Sequence, residues 1–202
     1  MGIAERKQRE KREMRQLILD AAMKRFVREG FEKTSVRQIA KDIEYSVGAI
    51  YLHFKNKNEI FYALHVEFFN MLHSKFNEAS IEDPLQRLRW LGQKYMEFGF
   101  ENPEAYHLMF VAQSPMETIE DQESWYCAKR TFDVLVQTVD QCVKEGYFPN
   151  KDVMQLTMMT YGLSHGILSL KLYRDMKMFP EEERQRLIHS TLDYILELLQ
   201  KP

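Results

Sequence analysis

Apolar residues recur at helical spacing along almost the whole chain, and turn residues interrupt them at intervals. From about Met14 to Glu29, a stripe of Leu17, Ile18, Ala21, Ala22 and Phe26 predicts a first helix. Gly30 stands where a C-cap is expected, and Phe31 is the apolar residue that packs back. Val36, Ile39, Ala40 and Ile43 predict a short second helix. Ser35 and Gln38 form the capping pair at its start, with Thr34 as an alternative cap. Glu44 and Tyr45 make a tight turn, and Ser46 caps a third helix through about His53. Val36, Ile39, Ala40, Ile43, Ile50, Leu52 and Phe54 are expected in the core. Asn56 and Glu59, three apart, suit the start of a fourth helix. It runs from Lys57 to about Ala79 and carries Ile60, Phe61, Leu64, Phe68, Met71, Leu72 and Phe76.

The rest of the chain reads the same way. Asp83 and Pro84 open a helix over about 84–100, and Asn102 and Pro103 open another through Phe110. Gln113 to Glu123 is a polar loop, and a helix from about 124 to 144 follows. After Pro149 and Asp152, two helices over about 153–177 and 181–200 close the chain. The fold class is therefore all-α. A three-helix head ends near residue 57, and residues 58–202 form a second helical domain.

Two short helices joined by a tight turn describe a helix-turn-helix. In that motif the second helix enters the DNA major groove with its first residues facing base edges. Ser46, Val47, Gly48 and Ala49 are small, which lets that turn lie deep. Val47 and Ala49 suit thymine methyl groups. Arg37 suits guanine or phosphate, and Tyr51, His53 and Lys57 suit phosphate. For His53, a buried capping role is an equal reading.

The runs T-S-V-R-Q-I-A and S-V-G-A-I-Y-L-H-F-K-N-K resemble the DNA-binding domain of tetracycline-repressor-like (TetR-family) regulators over about residues 14–62. The resemblance implies DNA contact at Thr34, Ser35, Arg37, Ser46, Val47, Gly48, Ala49, Tyr51, His53 and Lys57. It also implies a homodimer on a pseudo-palindromic double-stranded operator, and an effector-binding and dimerisation role for residues 58–202. The stretches FENPEAYHLMF and YGLSHGILSL resemble a C-terminal subgroup named for a Trp-His-Gly triplet; here the triplet is Ser164-His165-Gly166.

Charge sharpens this picture. Residues 1–60 hold 14 Lys+Arg and 9 Asp+Glu, a balance of +5, so the remainder carries 14 basic and 21 acidic residues, a balance of −7. A basic head on an acidic body fits a chain that meets DNA through its head. Arg6, Lys7, Arg9, Lys11, Arg12 and Arg15 make either an arm that touches phosphates or a solvated first turn. The general disorder of termini favours the second reading.

The aromatic and methionine-rich body can enclose an apolar cavity, and the resemblance implies that an effector binds there. Its expected wall is Trp90, Tyr95, Phe98, Phe110, Trp125, Tyr126, Tyr161 and His165, with ordinary core packing as the plainer reading of each. In the last two helices, Gly162, Gly166, Leu187, Thr191, Tyr194 and Leu198 are the expected dimer seam. An alternative regulator answers to a protein partner and takes no small ligand. No catalytic motif, metal-ligand spacing or cofactor signature is present, so no enzyme, no metal and no cofactor are expected. Cys127 and Cys142 are fifteen apart on one expected helix, too far to pair. No run is long and apolar enough for a membrane span, and the charged start lacks a signal peptide's apolar segment, so a cytoplasmic location is expected.

Overall fold

The computed structural model describes residues 2–78, 80–112 and 122–200. Its helices are α1 (Ile3–Glu29), α2 (Val36–Asp42), α3 (Val47–Tyr51), α4 (Lys57–Phe76), α5 (Pro84–Glu101), α6 (Pro103–Phe110), α7 (Gln122–Lys144), α8 (Val153–Arg174) and α9 (Glu181–Leu199). The described residues hold no strand. Most of the expected loop from Gln113 to Glu123 lies outside the described residues.

Local chemistry sets most helix ends. Ser35, Ser46, Asp83 and Asp152 each accept a backbone N–H of the helix that follows. The main departure is α1, which begins about eleven residues before the expected Met14. Its added turns carry the pairs Arg6–Glu10 and Arg9–Glu13, one helical turn apart, which support an exposed helix.

The chain divides into two compact units. One comprises residues 1–69 and 104–127, the other residues 70–103 and 128–202. The expected boundary after Lys57 falls at the start of α4, whereas the first unit continues to Phe69 and takes in α6. In that unit α1 packs on α2, and α2 on α3. Phe26, Phe31 and Phe61 form an aromatic triad with ring centroids 5.3–5.5 Å apart. Ile18, Leu19, Ala22, Ile39, Ala40, Ile50, Phe54 and Ile60 are buried. In the second unit α5 packs on α8 and α9. Its core joins Leu85, Leu88, Val139, Cys142, Phe148, Leu156 and Leu196.

Three expected core residues are exposed. Leu52 is 80% exposed because α3 ends at Tyr51, so helical spacing no longer turns the next side chain inward. Leu17 yields its inward place to Ile18 and Leu19, and Met71 lies on the outer face of α4.

Candidate nucleic-acid interface

The interface is built on caps. Ser35 Oγ accepts from the Gln38 N–H, and Gln38 Oε1 accepts from both the Ser35 N–H and its hydroxyl. The α2 C-terminus closes as a Schellman motif: the Tyr45 N–H donates to the Ala40 carbonyl and the Glu44 N–H to the Lys41 carbonyl. Glu44 occupies the left-handed position of that motif at φ 59°. Two residues later Ser46 Oγ accepts from the Ala49 N–H at 3.1 Å and starts α3. At the same C-terminal end of α2, Arg25 of α1 grips the Asp42 carboxylate with two guanidinium nitrogens and also bonds Glu29. Its guanidinium, through hydrogen bonding first, holds the Asp42 carboxyl below its ordinary pKa. The α2–α3 corner is thus held by backbone bonds, a side-chain cap and an ion pair.

An open groove runs along this corner, lined by Arg37, Lys41, Tyr45, Ser46 and Val47 among others. Arg37, Ser46, Gly48 and Tyr51 are exposed, while Val47 and Ala49 are partly so. Lys41 and Tyr45 were missed by the sequence reading. Their signal was available: Lys41 lies four residues after Arg37, on the same face of α2.

Two expected contact residues are engaged internally, and a third is half-buried. Thr34 is 2% exposed and donates its hydroxyl to the Gly30 carbonyl, so it serves the α1–α2 turn rather than the groove. Lys57 donates to the Phe31 carbonyl at 2.7 Å and lies 4.0 Å from the Phe31 ring centroid, bracing α4 against the same turn. His53 is half-buried, and its buried Nδ1 has no hydrogen-bond partner among the described residues.

The expected effector wall falls into two clusters, one in each unit. In the first, Phe110 stacks edge-on to Phe69 at 5.6 Å, and Trp125 lies 6.0 Å from His65. Tyr126 is exposed. His65 was not singled out from sequence. It is 5% exposed, burial pushes its pKa down to about 4, and its Nδ1 has no partner among the described residues. In the second, His165 lies against Tyr95 and Tyr161, with the Tyr95 hydroxyl 2.9 Å from Nδ1. Burial pushes His165 down to about 4 as well. Phe98 is buried, and Trp90 is partly so.

On α8, Gly162 and Gly166 are exposed, and a Cβ added at either would meet nothing within 4 Å. Tyr194 and Leu198 of α9 are exposed, while Leu187 and Thr191 are half-buried. Cys142 is buried and Cys127 half-buried, and the described residues hold no three-residue group suited to a metal ion. No helix among the described residues is long and apolar enough to cross a membrane.

Comparison with known proteins agrees with this geometry. Residues 18–64 match the family described as bacterial regulatory proteins, tetR family, and residues 88–195 match the tetracyclin repressor-like C-terminal domain. The HTH-type transcriptional regulator AcrR of Shigella flexneri is 28% identical over 159 residues, covering 73% of this chain and 72% of its own. The HTH-type transcriptional repressor KstR2 of Mycobacterium tuberculosis is 30% identical over 149 residues, covering 67% of this chain and 70% of its own. The crystal structure of PfmR, a TetR family transcriptional regulator from Thermus thermophilus, superposes with a TM-score of 0.72 at 22% identity, covering 89% of this chain and 97% of that one. The chain belongs to the tetR family of bacterial transcriptional regulators and is a DNA-binding regulator rather than an enzyme.

Proposed function

We propose that the protein is a homodimeric repressor that holds a pseudo-palindromic operator in the cytoplasm and releases it on binding a small, largely apolar effector. The observation that carries the dimer is α8. Its outer face presents Met158, Gly162, Gly166, Leu170 and Tyr173 along roughly four turns, apolar and open. A two-fold axis there pairs two heads, and half-sites about 34–36 Å apart then match the protein's symmetry. The repressor sign is supported by KstR2, a relative named as a repressor.

The effector reading is supported by His65. A buried neutral imidazole with an unpartnered nitrogen, flanked by Phe69 and Trp125, suits an aromatic molecule with one uncharged polar group. His65 lies on α4, eight residues after Lys57, or about 12 Å along the axis. A ligand there acts on the helix that opens the head. A bias of ~3 kcal/mol toward the released geometry lowers DNA affinity roughly a hundredfold, and DNA weakens effector binding equally.

The test is selection from a random duplex pool, followed by anisotropy titration of the parent and Tyr51→Ala. A recovered palindrome, bound more weakly by the variant, supports the reading. Aromatic and aliphatic compounds are then scored for release of that duplex, with His65→Leu as the control. A protein that enriches no sequence, or a duplex that no compound releases while a protein partner does, overturns it.

A further inference from the structure

The first turns of α1 segregate their charges by face. At 3.6 residues per turn, Lys7, Lys11 and Arg15 lie within about 80° of arc. Ile18, Ala22 and Phe26, three of the four buried residues of the same helix, continue that sector. The face that is apolar where α1 packs into the head is therefore basic where α1 extends beyond it. Arg6, Arg9, Glu10 and Glu13 occupy the opposite side, where Arg6 pairs with Glu10 at 2.7 Å and Arg9 with Glu13 at 3.5 Å. Glu5 accepts from the Gly2 N–H. Lys7, Lys11 and Arg15 have no carboxylate partner among the described residues.

This basic face is continuous with the end of α3. The Arg15 guanidinium lies 4.3 Å from the Phe54 ring centroid. His53 is held below its ordinary pKa first by burial and then by the charges of Lys11 and Arg15. Tyr51 and Leu52, just before it, are exposed. The positive potential of the ridge therefore extends to the carboxyl-terminal end of the recognition helix.

We infer that the amino-terminal turns of α1 form a phosphate-binding ridge, in which Lys7 and Lys11 contact the DNA backbone beside the base pairs that α3 meets. The inference rests on the DNA-binding role of the head and adds a contact outside the helix-turn-helix. The two lysines are about 6 Å apart along the helix axis, and each ends in a flexible ammonium that acts as a point charge. Both are exposed in the free protein, so contact displaces counterions and breaks no internal pair. Contacts of this kind strengthen binding without choosing sequence.

The experiment measures binding to a mixed-sequence duplex of about four helical turns over a salt series for the parent, Lys7→Gln/Lys11→Gln, Lys7→Arg/Lys11→Arg and Arg6→Gln/Arg9→Gln. Circular dichroism checks that helix content is kept. The glutamine pair at Lys7 and Lys11 reduces the slope of log K against log salt by about 1 for each lysine in contact. The arginine pair keeps the parent slope, and the opposite-face variant stays near it. The ridge is overturned if the Lys7/Lys11 variant keeps the parent slope, or if both glutamine variants lose the same amount, which marks net charge rather than a face. A parent that binds no duplex at all overturns the DNA-binding reading beneath it, a separate result.

Discussion

The helix-turn-helix and α8 are amphipathic in opposite senses. In α2 and α3 the buried residues are Ile39, Ala40 and Ile50, while Arg37, Lys41, Ser46 and Gly48 face out. In α8 the buried set includes Thr157, Thr160 and Ser164, while Met154, Met158, Met159, Leu170 and Tyr173 are exposed. The buried hydroxyls cost little, because each donates to a carbonyl of its own helix: Thr157 to Val153, Thr160 to Leu156 and Ser164 to Thr160. An interior of self-bonded hydroxyls with an apolar exterior supports the proposed two-fold seam, in which a second copy would cover that exterior. A surface meant for DNA keeps its polar groups outside, and one meant for another helix pair keeps its apolar groups there.

The largest expected effect breaks α8. In the single chain, the Cβ of Gly162→Glu meets nothing within 4 Å, and the substitution gains helix propensity. Across a two-fold seam it places a charge where backbones approach. Sedimentation is expected to show a monomer with unchanged helix content, and operator affinity falls roughly 10²–10⁴-fold with the loss of bivalency. A variant that still sediments as a dimer would remove α8 from the interface.

Next come paired truncations. Phe61→Ala opens the Phe26–Phe31–Phe61 triad and is expected to cost about 3–5 kcal/mol in urea unfolding. Met158→Ala on the outer face of α8 costs under about 1 kcal/mol at concentrations where the chain is monomeric. Equal costs would dissolve the contrast between an interior and a waiting surface.

Helix ends and the head were legible in the sequence because capping is local. Ser35 with Gln38, Ser46, Asp83 and Asp152 declare themselves within four residues. What periodicity could not place was tertiary. Leu17 and Ile18 are adjacent, and only packing decides which turns inward. Leu52 follows the last turn of α3, where helical spacing stops applying. The first turns of α1 look like a solvated tail because they bury nothing. Their i,i+4 ion pairs were the available sign of helix. His65 was passed over among six scattered histidines, yet Phe61 and Phe69 flank it four residues to each side, a mark of the buried face. Thr34 and Lys57 fit the family's contact pattern in type, but their bonds to Gly30 and Phe31 are set by the turn between α1 and α2.

A smaller effect depends on pH. His65 and His165 are both pushed from the ordinary 6.5 to about 4 by burial. Between those values the unfolded chain binds protons that the folded chain does not. Stability is therefore fully present above pH 6.5 and falls as pH drops toward 4, by up to about 3 kcal/mol for buried His65 and by less for half-buried, solvent-screened His165. Urea midpoints from about pH 7.5 to about 4.5 measure it, and His65→Gln should flatten the slope by its own share. An unchanged slope in both His65→Gln and His165→Gln would mean that neither imidazole is held neutral.

The smallest effect tests the corner itself. Glu44 closes α2 in the left-handed region, where a Cβ costs roughly 1 kcal/mol and glycine is the usual occupant. Its carboxylate carries none of the Schellman bonds, which run through backbone atoms. Glu44→Gly is therefore expected to stabilise the head, by up to about 1 kcal/mol, less the added freedom of glycine in the unfolded chain. It also removes a negative charge beside the groove of Arg37 and Lys41, so DNA binding should strengthen modestly at low salt and converge with the parent as salt rises. If the variant is less stable, the glutamate makes a contact that offsets its backbone strain. If it is more stable yet binds DNA more weakly, the strained turn itself sets the angle of α3, and the corner has kept strain for the sake of recognition.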